Sequence, residues 1–86
     1  MKRYKISKKL RITTRRETIV LYDISRFEKI ILNGLPLIIF RNMLFHDNFT
    51  IDEILHSCTN VLLETSLEKI EKIIEIMINK GWIIPI

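Results

Sequence analysis

The hydrophobic pattern of this chain changes period once, at Phe27-Glu28-Lys29-Ile30-Ile31-Leu32-Asn33. Before that stretch the apolar residues alternate or cluster in short β-branched runs; after it they recur at helical spacing. The strands therefore precede the helices, which makes an α+β domain. Leu10-Arg11-Ile12-Thr13 alternates as a strand with one wet face does, and Thr18-Ile19-Val20-Leu21-Tyr22 is β-branched and aromatic. Short polar connections at 14–17 and 23–26 imply sequential antiparallel neighbours, so 28–32 closes a three-stranded meander. Such a last strand lies at an edge, with outer N–H and C=O groups lacking partners. An open edge is either protected against pairing or used to bind an extended peptide.

In the helical half, Asn33 offers a side-chain oxygen as an N-cap and Pro36 suits a first turn, giving a helix over 35–45. It is apolar nearly all round (Leu37, Ile38, Ile39, Phe40, Met43, Leu44, Phe45) and is expected to be the most buried element. After a break at 46–49, Thr50-Ile51-Asp52-Glu53 fits a capping box opening a helix to Ser57 or Cys58. Residues 59–64 read as a connector that turns Val61 and Leu62 toward the core. Thr65-Ser66-Leu67-Glu68 is a second capping box, and the helix over 67–80 carries Leu67, Ile70, Ile73, Ile74, Met77 and Ile78 at 3-and-4 spacing. Gly81 sits where a positive φ ends a helix, and Lys80 suits the negative end of the dipole. Trp82-Ile83-Ile84 returns to the body of the protein and Pro85 stops it. The expected order is β-β-β-α-α-α: a three-stranded antiparallel meander followed by a winged helix-turn-helix-like trio, one domain over 1–86.

Composition narrows the function. A chain of 86 residues, 48% hydrophobic with 2 Gly and 2 Pro, builds one core but no enzyme cleft with its own walls. Its longest apolar stretch is broken by Arg41 and Asn42, far short of the roughly 20 residues that span a bilayer. No apolar segment follows the basic N-terminus, and a lone Cys58 fits a reducing cytoplasm. The net charge of +4 is unevenly distributed. Residues 1–29 hold ten Lys and Arg against Glu17, Asp23 and Glu28, a net of +7; residues 30–86 hold four against seven acids, a net of −3.

Catalysis has little support. His46 and His56 lie ten apart near Cys58 and match no zinc spacing; Ser57 and Ser66 have no evident base. Asp52 and Glu53 read as a capping pair, and Glu68, Glu71 and Glu75 as a solvated helix face. No glycine-rich loop is present to cradle a phosphate. The expectation is a non-enzyme with no metal and no cofactor. Nucleic-acid binding fits the basic half and the winged-helix parts. However, the third helix presents Glu64, Glu68, Glu71 and Glu75 against Lys69, Lys72 and Lys80, which would repel phosphate. Tyr4, Tyr22 and Phe27 make no stacking platform. A winged-helix DNA-binding protein is thus the alternative reading. Peptide binding by strand addition fits more residues: the edge at Glu28–Leu32 takes the strand, and the last helix supplies a second wall. There Lys69, Lys72 and Glu75 rim Ile73 and Ile76. The competing structural reading makes Ile73 core and those charges merely solvated.

From about 6 to 84 the chain resembles the PqqD-like proteins, or RiPP recognition elements, small domains that bind the leader of a ribosomally made precursor peptide. The resemblance rests on Val20-Leu21-Tyr22-Asp23, on Leu32-Asn33 entering the first helix, and on Phe49-Thr50-Ile51-Asp52-Glu53-Ile54. It closes with the 67–80 helix and Gly81-Trp82-Ile83. Arg15-Arg16-Glu17 lacks the glycine common in that turn, and Gly34-Leu35-Pro36 stands where a small hydroxyl residue and alanine are commoner. The resemblance implies a leader peptide added as an antiparallel strand in the cleft between the third strand and third helix. By position this assigns Glu28, Lys29, Ile30 and Ile31 to the strand wall. Lys69, Lys72, Ile73 and Ile76 fall on the helix wall, with Lys80 at its far end. The strand would supply backbone pairing, the isoleucines apolar anchoring, and the lysines charge selection. Loss of one rim lysine is then expected to weaken binding by about 1 kcal/mol or less, and a proline at Ile30 by far more if that N–H is used. The implied partners are a precursor leader peptide and a radical S-adenosylmethionine maturase or a leader peptidase, the latter as in lasso-peptide systems. The implied state is a cytoplasmic monomer or an edge-paired homodimer. A third reading is an interaction domain detached from a larger enzyme.

Overall fold

The alternating residues of the N-terminal half form three paired strands, β2 (Leu10–Thr14), β3 (Ile19–Asp23) and β4 (Glu28–Leu32), in the order β2-β3-β4. The structure is a computed structural model that describes residues 1–61 and 67–86, those at 59–61 by their backbone. Both pairings are antiparallel, and Ile12, Leu21 and Ile30 stand opposite one another across the sheet. Because strand side chains alternate, this row and Leu10, Ile19 and Leu32 face the core. Arg11, Thr13, Tyr22, Lys29 and Ile31 are on the exposed face.

Two further strands stand outside the predicted meander. β1 (Tyr4–Ile6) pairs antiparallel with β5 (Ile83–Pro85), joining the chain's two ends. Trp82-Ile83-Ile84 therefore does more than return to the body: Ile83 begins a strand, and Pro85, lacking an N–H, is its last residue. Tyr4 also exchanges backbone hydrogen bonds with Phe49 at 2.7 and 2.9 Å, which holds the loop after the first helix.

The helices α1 (Gly34–Leu44), α2 (Ile51–Val61) and α3 (Leu67–Asn79) follow in the expected order. Asn33 is the N-cap of α1 but makes no side-chain cap bond. The usual donors are the second and third helical N–H groups, and Pro36 at the third position has none. Gly34 opens the helix with φ +60°. Leu37, Ile39, Phe40 and Met43 are buried, but Phe45, predicted within this buried helix, lies beyond its end and is 80% exposed.

α2 opens with the predicted reciprocal cap: Thr50 N–H donates to Glu53 Oε1 at 3.0 Å, and Glu53 N–H to Thr50 Oγ1 at 3.1 Å. It continues past the expected stop at Ser57 or Cys58. The Ser57 hydroxyl donates to the Glu53 carbonyl, bonding back along the helix instead of ending it. The second predicted capping box, and the inward turn of Val61 and Leu62, lie outside the described residues. α3 ends in a Schellman motif at Gly81 (φ +75°): Trp82 N–H reaches Met77 O and Gly81 N–H reaches Ile78 O, both at 3.0 Å. α3 packs on α1, α2 and β5. Phe40, Phe49, Ile54, Ile70, Ile74, Met77 and Ile83 fill one core with the inner sheet face. No helix among the described residues is long and apolar enough to cross a membrane.

Candidate functional site

β4 is an edge strand, as its place in the sequence predicts. Which of its backbone groups are available follows from alternation. Ile24 N–H donates to Lys9 O, and Thr18 O accepts from Arg15 N–H. Even-numbered residues of β3 thus face β2, and Ile19, Leu21 and Asp23 face β4. Their partners Leu32, Ile30 and Glu28 turn their N–H and C=O groups inward. Lys29 and Ile31 turn theirs outward, where no strand lies among the described residues. A proline at Ile30 would consequently break the sheet itself, not the edge. The expectation that it tests peptide pairing is corrected: the informative positions are Lys29 and Ile31.

The side chains divide in the same rhythm. Ile30 is half-buried against the core and Glu28 half-buried, whereas Lys29 is exposed and Ile31 is 56% exposed. Along α3, Lys69, Lys72, Ile73 and Ile76, with Lys80 just past its end, recur at three- and four-residue spacing and form one stripe. Ile76 is 53% exposed, so it presents apolar surface that the fold itself does not use. Ile73 is half-buried against the core, and in part satisfies the competing reading. Lys72 lies 3.8 Å from Glu68 in an exposed ion pair. The acidic side of the helix is elsewhere: Glu71 and Glu75 line a cavity with Ile51 at the start of α2. Buried Ile70, Ile74 and Met77 run between those two sides.

The β3–β4 hairpin and the end of α3 meet at one cavity. A cavity of about 310 Å³ brings Lys80 and Gly81 from the end of α3 together with Ser25 and Arg26 of the hairpin that leads into β4. Sequence reasoning placed Lys80 at the far end of the groove but missed Arg26, Lys9 and Ser7 beside it. The available signal was Asp23-Ile24-Ser25-Arg26, an Asx-type turn. Asp23 Oδ1 accepts the Ser25 hydroxyl at 2.6 Å and the Ser25 N–H at 3.1 Å. The Ser25 hydroxyl, then its N–H and the neighbouring Arg26, hold the Asp23 carboxyl below its ordinary pKa against the opposing effect of burial. Phe27, next in the hairpin, has φ +53° and is 82% exposed. A large side chain in the left-handed region and in water is a strained arrangement that the core does not explain.

The other candidates are dispersed. His46 and His56 line a cavity of about 510 Å³ with Arg3, Asp52 and Glu53. Among the described residues no three His, Cys, Asp or Glu side chains are grouped to hold a metal ion. Glu53 is committed to the α2 cap and to Arg3 at 3.1 Å, which together lower its pKa, the Thr50 N–H most of all. Cys58 is buried, and desolvation raises its thiol pKa.

No family model matches the chain, and no curated protein matches it in sequence. Among solved structures, TbiB1 in complex with the TbiA(beta) leader peptide aligns with a TM-score of 0.74. The alignment covers 92% of this chain and 93% of that one at 14% identity. The α+β architecture is therefore a known one, shared over nearly the whole length of both chains.

Proposed function

We propose that this chain is a non-catalytic leader-peptide-binding domain of the PqqD-like kind. The leader of a ribosomally made precursor adds as a strand to the β4 edge, along the α3 stripe, and is presented to a maturation enzyme. The observation that carries this reading is the open β4 edge, whose outward backbone groups at Lys29 and Ile31 stand beside exposed apolar surface. The shared fold with TbiB1, solved with a leader peptide, supports it. The maturation enzyme is a radical S-adenosylmethionine enzyme or a leader peptidase, and the setting is the cytoplasm.

The test is a titration of fluorescent leader peptides, encoded beside the gene for this protein, in parallel with duplex DNA. Leader binding at micromolar concentration or tighter, with amide shifts at Lys29 and Ile31, is the expected result. Binding to DNA alone, weakening steeply with salt, would favour the winged-helix alternative instead.

A further inference from the structure

The cavity between the β3–β4 hairpin and the end of α3 has a composition that strand addition alone does not require. Lys9, Arg26 and Lys80 converge there from the turn before β2, the β3–β4 hairpin and the end of α3. Among the described residues one acid lines it, Asp23, which is 3% exposed and already accepts two hydrogen bonds from Ser25, with Arg26 Nε 4.0 Å from its second oxygen. Glu28 stands opposite Asp23 in the strand register but does not line the cavity. Ser7, buried in the wall, accepts the Lys9 N–H through Oγ at 3.2 Å, which leaves its hydroxyl hydrogen to donate. The carbonyls at the end of α3 would oppose an anion, but Ile76, Met77 and Ile78 are bonded to the N–H groups of Lys80, Trp82 and Gly81. Three cations against one satisfied carboxylate leave a concave site with surplus positive charge.

We infer that this cavity is a carboxylate subsite of the peptide groove, taking an Asp or Glu side chain from the bound peptide. The inference rests on the function proposed above and adds a specificity element to it. Arg26 precedes the first residue of β4 by two positions, and Lys80 ends the α3 stripe. The acidic residue therefore lies on the peptide just past the segment paired with Lys29.

A phage-displayed library of random dodecapeptides, flanked by linkers at both ends, tests this on the intact chain. Selection on the wild-type protein should enrich a consensus with Asp or Glu at one fixed position. The synthetic consensus peptide, amidated at its C-terminus and followed by fluorescence anisotropy, should bind Arg26→Gln or Lys80→Gln about two- to fivefold more weakly. Its Asn or Gln counterpart should bind wild type and variants alike, and K80E should select a basic residue at that position. Circular dichroism verifies that each variant is folded. A consensus lost on Ile31→Pro, yet carrying no acidic position or indifferent to Arg26→Gln and Lys80→Gln, overturns the subsite and leaves the groove standing. Binding abolished by amidation would make the ligand a chain-terminal carboxylate and overturn the side-chain assignment. No enrichment, or binding indifferent to Ile31→Pro, overturns both readings.

Discussion

β2 and β4, the two edges of the central sheet, are equal in length, but their chemistry differs. By the alternation that turns Lys29 and Ile31 outward on β4, Leu10, Ile12 and Thr14 turn their backbone groups outward on β2. The Leu10 N–H is taken by Ser7 O at 3.3 Å. Cations flank the rest: Lys8 and Lys9 before the strand, Arg11 within it, Arg15 and Arg16 after it. Arg41 of α1 reaches the carbonyls of Arg15 and Arg16 and holds that turn in place. Within β4, Lys29 is offset by Glu28, and the remaining residues are Ile30, Ile31 and Leu32. Repulsion between like charges keeps a second β2 edge away, whereas β4 itself carries no comparable run of like charge. Hydrogen-bonding capacity is similar at the two edges; charge selects between them.

The comparison breaks most sharply under proline. Ile30→Pro removes an inward N–H and a core contact, and should cost about 3–5 kcal/mol of stability in a denaturant titration. Ile31→Pro removes only an outward N–H, so the melting temperature should stay close to wild type while leader affinity falls by at least about tenfold, the scale of one lost hydrogen bond in a dry groove. Thr14→Pro makes the equivalent change on the β2 edge and should leave leader binding intact. If Thr14→Pro abolished binding and Ile31→Pro did not, the peptide would belong on β2.

A smaller effect is expected at Phe27. Replacing it with glycine relieves the positive φ and should stabilise the protein by about 1 kcal/mol, measured as a raised unfolding midpoint. A simultaneous loss of leader affinity would show that the exposed ring contacts the peptide, and that the β4 edge is extended by its hairpin. Unchanged affinity would confine the binding edge to β4 itself.

Much of this architecture was legible because its signals are local. Strand alternation over 10–32, the Thr50–Glu53 cap and the Gly81 stop each depend on residues within a few positions of one another. The β1–β5 pair was not legible, because Tyr4-Lys5-Ile6 gains meaning only when the chain's other end arrives beside it. The candidate site divides along the same line. The edge and the α3 stripe follow from periodicity, while the cavity joining Lys9, Arg26 and Lys80 requires three distant segments to meet. Only the proline test at Ile30 falls one residue out of phase, since side-chain alternation shows which face a residue takes but not which neighbour its N–H meets.

The smallest expected effect concerns Asp23, which links the two edges. It stands between Leu10 of β2 and Glu28 of β4, and its carboxylate organises the hairpin through Ser25. Hydrogen bonding favours the charged form, so the folded-state pKa lies below the unfolded one. A depressed carboxylate contributes stability that is fully present above its unfolded pKa, near 4 for aspartate, and is lost as pH falls through the folded value. Glu53 behaves in the same sense through Thr50 and Arg3. Thermal unfolding should therefore be insensitive to these groups at neutral pH and shift downward in acid. Asp23→Asn keeps the shape but removes the charge, so its melting temperature should start lower and fall less between pH 5 and pH 2.5. Because the hairpin orients both β4 and the cationic cavity, the variant should also shift amide resonances at Lys29 more than at Arg11. Equal shifts at the two strands would mean that the turn fixes the sheet as a whole and does not distinguish its edges.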